Sequence, residues 1–164
     1  MNRAPTGPEG YRRIEGLVWV QLTDEGPIIS QKAPRKASVK RGRGYERKVA
    51  RYLKREKERY GGDLFVGQWR LFKDRHGYGK AQPDVYILRP DLVVLIECKL
   101  TQADGVVPQL LKLYLPLIRQ LYSRRVVCIQ ACHNLRYAPK KLIKDPMELI
   151  KVPRPGVWTW HYIG

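Results

Sequence analysis

The fold is decided by residues 83–99, which read PDVYILRPDLVVLIECK. Two apolar runs, residues 85–88 and 92–96, flank a short turn at Pro90-Asp91, and this pattern predicts a β-hairpin. The second run is apolar without alternation, which indicates a strand buried on both faces. That strand changes abruptly from apolar to charged at Glu97-Cys98-Lys99, so polar chemistry is expected at its end.

The hairpin also determines which residues face each other. A two-residue turn, or a symmetric four-residue loop, pairs Leu88 with Val93 and, counting outward, Asp84 with Glu97. Directly opposed residues have Cβ atoms roughly 4.5–5.5 Å apart, and two carboxylates that close repel unless a cation lies between them. The pattern therefore predicts oxygen ligands for Mg²⁺, with Mn²⁺ as a substitute. A three-residue loop would break this register.

A lysine completes the predicted constellation. Lys99 lies two residues after Glu97 on the same strand, so both point to one face, whereas Cys98 points to the other. Bound cations can activate water and neutralise charge in phosphodiester hydrolysis, and Lys99 can position or deprotonate that water or stabilise the developing charge. The alternative interpretation is a structural ion-pair cluster of Asp84, Glu97 and Lys99.

An upstream helix supplies a further candidate. Residues 44–60 have helical periodicity, and Gly61-Gly62 should end the helix. Glu46 falls within the apolar arc of this helix, where an acidic residue is unusual unless it is paired or bound to metal. It is therefore a fourth catalytic candidate and a third metal ligand; the alternative is a carboxylate favoured by the helix dipole. The apolar arc consists of Tyr45, Val49, Leu53 and Tyr60.

The charge balance points to a polyanionic partner. The chain has 32 Lys and Arg against 15 Asp and Glu, a formal charge of +17 and a pI near 10.1. DNA is the first candidate; an anionic membrane surface is the second, but no basic amphipathic helix with a clean apolar face supports it. Residues 31–44 are predicted to be a flexible basic arm. The predicted DNA-binding residues are Lys36, Lys40, Arg41, Arg43, Arg47, Lys48 and Arg51, for which a solvated charged surface is the alternative.

Other features of the sequence indicate the cellular compartment of the protein. Residues 1–10 lack the apolar stretch of a signal peptide, and the longest apolar run, residues 92–96, is too short to span a bilayer. Three cysteines without disulfide-framework spacing indicate a reducing compartment. We therefore expect a cytoplasmic protein with no membrane contact.

The remaining pattern predicts a mixed α/β domain. Residues 73–80 read as a polar loop, and residues 105–122 as a buried helical segment that Pro116 should kink or split. Its apolar residues exceed what a small sheet requires, so part of the segment is expected to contact a partner subunit. Gln109, near its start, is a further polar candidate for the site. We predict an N-terminal extension over residues 1–40, a nuclease domain over residues 41–164, and further strands at residues 17–22, 64–71, 125–131 and 157–163.

The constellation resembles a known superfamily. Pro83-Asp84, followed after twelve residues by Glu97-Cys98-Lys99, is similar to the PD-(D/E)XK nuclease signature. Residues 40–47, KRGRGYER, followed by Ile96-Glu97-Cys98-Lys99, resemble the archaeal-type Holliday junction resolvases, small enzymes that also occur in some phages. The resemblance covers residues 40–131.

The resemblance implies a central mixed sheet flanked by helices and a homodimer with two active sites. It implies that Glu46, Asp84 and Glu97 bind the metal and that Lys99 assists catalysis. One departure is the absence of the serine that these resolvases often carry between the first helix and the aspartate. Either no residue replaces it, or the scissile phosphate is contacted instead by one of Gln68, Lys73, His76 and Lys80.

The sequence thus predicts a metal-dependent DNA endonuclease, most specifically a resolvase that cuts four-way junctions by paired nicks during DNA recombination and repair. It would act in a prokaryotic cell, or in the host cytoplasm if a phage encodes it. The alternatives are another PD-(D/E)XK endonuclease or exonuclease of repair or restriction, and a basic DNA-binding protein without catalysis.

Overall fold

A computed structural model of the chain describes residues 12–23 and 37–164, with residues 37–40 described by their backbone alone. Along these residues the elements follow in this order: β1 (Trp19–Thr23), α1 (Ala37–Arg55), α2 (Lys57–Tyr60), β2 (Asp63–Val66), β3 (Trp69–Asp74), β4 (Gly77–Ala81), β5 (Val85–Leu88), β6 (Leu92–Thr101), α3 (Val106–Pro108), a π-helical segment (Gln109–Tyr114), α4 (Leu115–Tyr122), β7 (Arg125–Asn134), β8 (Leu142–Ile143), α5 (Met147–Lys151) and β9 (Val157–His161).

A mixed sheet forms the centre of the fold. Its strand order is β2-β5-β6-β7-β9-β8. The pairs β2–β5 and β5–β6 are antiparallel, whereas β6–β7, β7–β9 and β8–β9 are parallel. Every apolar residue of β6 from Leu92 to Ile96 is buried, so the prediction of a strand covered on both faces is confirmed.

Helices cover both faces of this sheet. Val49 and Leu53 of α1 pack on one face, together with Leu149 of α5. Leu110 of the π-helical segment and Leu117 of α4 pack on the other. The predicted class, α/β with a central mixed sheet flanked by helices, is therefore confirmed.

The predicted hairpin has the predicted register. Leu88 pairs with Val93 and Val85 with Ile96, and the Arg89 amide donates a hydrogen bond of 2.9 Å to the Leu92 carbonyl. Pro90 and Asp91 thus form a two-residue turn. One further step outward from the last pair brings Asp84 level with Glu97, as the pattern required.

The first helix is longer at its start than expected. It begins at Ala37, so residues 37–43 are helical, although they were predicted to belong to a flexible arm. Gly42 and Gly44 each weaken a helix by about 1 kcal/mol relative to alanine, but the buried side chains of Tyr45 and Val49 anchor the following turns. The rest of the predicted arm, residues 31–36, lies outside the described residues.

A second, three-stranded sheet corrects two strand predictions. Residues 64–71 are not one strand: β2 ends at Val66, Gly67 takes a positive φ of 60°, and β3 begins at Trp69 in the other sheet. Residues 73–80 are not a loop, because β3 and β4 form an antiparallel hairpin there. The predicted N-terminal strand is present as β1, which pairs with β3.

Packing beneath this small sheet explains why its sequence resembles a loop. The Phe72 ring lies under Gly79 of the neighbouring strand, and a Cβ at Gly79 would collide with it. The strand therefore carries glycine where an apolar side chain would have signalled β structure. Asp74 is also buried, and its charge is paired with Arg12 at 2.6 Å. This ion pair and β1 hold residues 12–23 on the domain, although that stretch was assigned to the N-terminal extension.

The segment from Val106 to Tyr122 is one continuous helical run. Pro116 does not split it, because it falls in the first turn of α4, directly after the π-helical segment, where its missing N–H is tolerated. Most of its apolar side chains are buried within the chain, and among its large hydrophobic residues Val107 is the exposed one. Leu111 and Leu115 are only partly buried, and the contact of this run with a partner subunit stays a prediction. Neither this run nor any other helix of the described residues is long and apolar enough to span a bilayer.

Candidate active site

The site begins where β5 ends and β6 continues. Within the described residues, the pairing of β6 with β5 ends at Ile96 and Val85, and the Asp84 carboxylate takes the place of the next backbone partner. Its Oδ2 atom accepts a hydrogen bond of 2.8 Å from the Cys98 amide. Asp84 is thus held against β6, beside Glu97.

Glu97 is the most deeply buried charge of the site. Its side chain is 3% exposed and lies near enough to Asp84 for each carboxyl group to shift the pKa of the other, while its Oε2 atom is buried without a hydrogen-bond partner among the described residues. Burial, and then the charge of Asp84, raise the pKa of Glu97 well above its ordinary value. Burial also raises the pKa of Asp84, against the lowering effect of the Cys98 amide. Such a pair must share either a proton or a cation.

Lys99 and Glu46 approach this pair from two elements. The positive charge of Lys99 lowers the pKa of all three carboxylates, Glu46, Asp84 and Glu97. Glu46 is half-buried on α1, where burial, and then the charge of Asp84, raise its pKa to about 7. The four residues predicted to be catalytic therefore lie within electrostatic reach of one another.

Asp84 lines a cleft of about 520 Å³, whereas Glu97 and Lys99 are not among its lining residues. Its acidic side contains Glu46 and Asp84, and its far wall contains Val66, Gly67 and Gln82. Three arginines of α1 also line it, spaced four residues apart and therefore on one helix face: Arg43, Arg47 and Arg51. A cleft with carboxylates beside a row of arginines can hold a cation and a phosphate chain together.

The other predicted DNA-binding residues are not placed in the cleft. Lys48 does not line the cleft, and its Nζ atom donates a hydrogen bond of 2.6 Å to the Ile163 carbonyl, so its assignment to DNA binding stays a prediction. Arg41 is exposed and does not line the cleft. Lys36 and the side chain of Lys40 lie outside the described part of the chain.

The donor set fits a hard divalent cation. No three His, Cys, Asp or Glu side chains of the described residues form a finished metal-binding group. Mg²⁺, however, usually keeps several waters and binds through one or two carboxylates. Asp84 and Glu97 are two such carboxylates on adjacent strand positions, and the unpartnered Oε2 atom of Glu97 is an available ligand. Glu46 lies close enough to Asp84 for the charge of Asp84 to raise its pKa.

The candidates for the missing serine are not gathered at the site. His76 contacts Glu15 at 3.2 Å, Lys73 lies over the Tyr78 ring, and neither lines the cleft. Gln68 and Lys80 are likewise not among its lining residues. The sequence interpretation missed Gln82, which lies two residues before Asp84; its Nε2 atom donates a hydrogen bond of 2.9 Å to the Gly67 carbonyl across the cleft wall. Its position next to the Pro83-Asp84 motif was the available signal.

Gln109 lies behind this wall rather than in the cleft. Its Nε2 atom donates a 3.1 Å hydrogen bond to the Tyr114 hydroxyl, which in turn donates to the Gln82 carbonyl at 3.2 Å. Gln109 therefore supports the cleft wall through Tyr114.

Comparison of the chain with protein-family models, curated proteins and solved structures gave no match. The resemblance to PD-(D/E)XK nucleases and to Holliday junction resolvases stays a prediction made from the motif.

Proposed function

We propose that this chain is a Mg²⁺-dependent DNA endonuclease of the PD-(D/E)XK type. The observation that carries the proposal is Asp84 beside the buried Glu97 of the central strand, within reach of the charge of Lys99, with Asp84 and Glu46 lining a cleft that also contains three arginines. Two carboxylates close together and largely away from water are costly, and a structural ion pair with one lysine leaves one negative charge uncompensated. A cation site accounts for that arrangement.

Each residue has a role in this proposal. Asp84 and Glu97 would hold the metal, with Glu46 as the third carboxylate, and Mn²⁺ would substitute for Mg²⁺. The bound metal would supply an activated water and neutralise charge on the phosphate. Lys99 orients that water and stabilises the developing negative charge. Proton release from the carboxylates accompanies loading of the site, because their raised pKa values favour the protonated forms.

The arginines determine how the substrate lies. Arg43, Arg47 and Arg51 contact successive phosphates and position the backbone without selecting a sequence. Selectivity then comes from DNA shape and bendability, which favours a four-way junction as substrate and a role in recombination and repair. Because the described residues of each chain form one such site, paired nicks across a two-fold junction require a homodimer. Part of the helical run Val106–Tyr122 is the interface predicted for that homodimer.

The alternative is a basic protein that binds DNA without cutting it, or a nuclease with another substrate. The intact set of Asp84, Glu97 and Lys99 favours catalysis. Incubation of an end-labelled four-way junction and a linear duplex of matched sequence with Mg²⁺ tests the proposal. Symmetric nicks near the branch point are expected. Equal cutting of both substrates would exclude the resolvase function, and binding without cutting of either would leave the non-catalytic alternative.

A further inference from the structure

The outward face of the three-stranded sheet has an unusual composition. Neighbouring strands pair Trp19 with Lys73 and Lys73 with Tyr78, so these three side chains form one row across the sheet. The next row on this face contains Gln21, Leu71 and Lys80, and the last pairs Thr23 with Trp69. Among the described residues of β1, β3 and β4, the acidic side chain Asp74 is buried on the opposite face. The outward face is therefore aromatic and basic.

Of the aromatic rings on this face, Tyr78 is exposed and lies close to Trp19, while Trp19 and Trp69 are half-buried. Tyr78 is 67% exposed, although large apolar rings usually pack in the core. The ring centroids of Trp19 and Tyr78 are 5.9 Å apart, and the Lys73 Nζ atom lies 5.4 Å from the centre of the Tyr78 ring. By contrast, Trp160 near the C-terminus is 2% exposed and packs between Tyr52 and Tyr162. The rings of the small sheet are thus not required for the core.

This face adjoins the candidate active site. Gly67, which lines the cleft, lies two residues before Trp69, and Gln82, which also lines it, directly follows β4. The hydrogen bond from Gln82 to the Gly67 carbonyl joins the two connections at that border. The Trp69 row is therefore the end nearest the cleft, and the Trp19 row is the far end.

We propose that the outward face of β1, β3 and β4 stacks the unpaired bases of a nucleic acid whose backbone enters the cleft. The inference rests on the proposed function for the nature of the substrate. Every base offers a π-face to an aromatic ring, and lysines beside the rings attract the phosphates. Four residues along β3 separate the Trp69 row from the Lys73 row, about 13 Å at roughly 3.3 Å per residue, which is on the order of four bases stacked 3.4 Å apart. Within the proposed function, this face would add affinity for DNA in which a short unpaired stretch adjoins a duplex.

Measurement of DNA binding in the absence of metal tests this proposal. Fluorescence anisotropy in EDTA compares a blunt duplex, the same duplex with a four-nucleotide single-stranded extension, and a free dT12 strand. The wild-type protein is expected to bind the extended duplex more tightly than the blunt one. Tyr78→Ala and Trp69→Ala should each weaken binding of the extended duplex and of dT12 by about five-fold or more, and should leave the blunt duplex unchanged. Tyr78→Phe, which keeps the ring, should retain the wild-type affinity.

The matched control is Tyr137→Ala, since Tyr137 is 53% exposed but lies outside this face. It should leave all three affinities unchanged. Unaltered binding of the extended duplex by both alanine variants would overturn the inference, as would an equal loss on blunt and extended duplexes. A change in molar mass by light scattering without a change in affinity would assign the face to contact between copies of the chain. Failure of the wild-type protein to nick DNA with Mg²⁺ would remove the endonuclease proposal and leave the binding results standing.

Discussion

The carboxylate of Asp84 accepts the backbone N–H of Cys98 at 2.8 Å, where a neighbouring strand would otherwise supply the acceptor. Asp84 therefore continues the sheet beyond the end of β5 and at the same time lies against Glu97. Its structural role needs only an oxygen acceptor, whereas its proposed catalytic role needs the negative charge. The two roles can be separated by one substitution.

Asp84→Asn should be at least as stable as the wild-type protein in EDTA. The amide oxygen can still accept the Cys98 N–H, and the repulsion between two neighbouring carboxyl groups is removed. Thermal unfolding in EDTA near pH 8 measures this. A clear drop in Tm would mean that Asp84 and Glu97 do not repel each other and that the charge of Asp84 is itself stabilising.

Metal binding should strengthen as the pH rises through about 7. The pKa of Glu46 is raised to about 7 by burial and then by Asp84, so below that pH protons compete with the metal. In EDTA, the free energy of unfolding should change with pH in the opposite direction. The folded state holds the proton of Glu46 more tightly than the unfolded state does, so stability falls as the pH rises from about 4.5 to about 7.

Calorimetric titration with Mg²⁺ at several pH values, together with unfolding in EDTA, tests both trends. Glu46→Gln should reduce the pH dependence of each, because it removes one of the titrating groups. A wild-type protein whose Mg²⁺ affinity is flat between pH 6 and 8 would contradict the role of Glu46.

Lys99→Ala should stop DNA cleavage while Mg²⁺ still binds, because the carboxylates remain. Its positive charge lowers the pKa of Glu46, Asp84 and Glu97, so binding in the variant should shift to higher pH. Calorimetry at pH 7 and pH 9 distinguishes a shift of Mg²⁺ binding to higher pH from a loss of the Mg²⁺ site. Loss of Mg²⁺ binding at both pH values would show that Lys99 holds the site together, and its catalytic role would lose its support.

The row of arginines should determine the salt dependence of DNA binding. Each phosphate contact contributes about 0.9 to the slope of log K against log salt concentration on duplex DNA. Arg47→Gln or Arg51→Gln should therefore lower that slope by roughly one unit. Lys48→Gln is the matched control, since its Nζ atom is bound to the Ile163 carbonyl rather than directed to the cleft. An unchanged slope in the arginine variants would place the DNA elsewhere.

The sequence predicted the central hairpin and its register because Pro90-Asp91 and the apolar run of β6 leave few other pairings. That register brought Asp84 to Glu97 and was sufficient for the core of the candidate site. The sequence could not predict the hairpin of β3 and β4, where Gly79 makes room for the Phe72 ring of a neighbouring strand. Nor could it predict that Lys48 binds the carbonyl of Ile163, a contact between residues far apart in the chain. Packing between distant segments decided both.

The most direct test of the central claim is nicking of supercoiled plasmid DNA by wild-type protein, Asp84→Asn and Lys48→Gln, each with Mg²⁺ and with EDTA. The account predicts Mg²⁺-dependent nicking by the wild-type protein and by Lys48→Gln, none by Asp84→Asn, and none by any of the three in EDTA. Nicking by purified Asp84→Asn at the wild-type rate, or nicking by the wild-type protein that persists in EDTA, would contradict it.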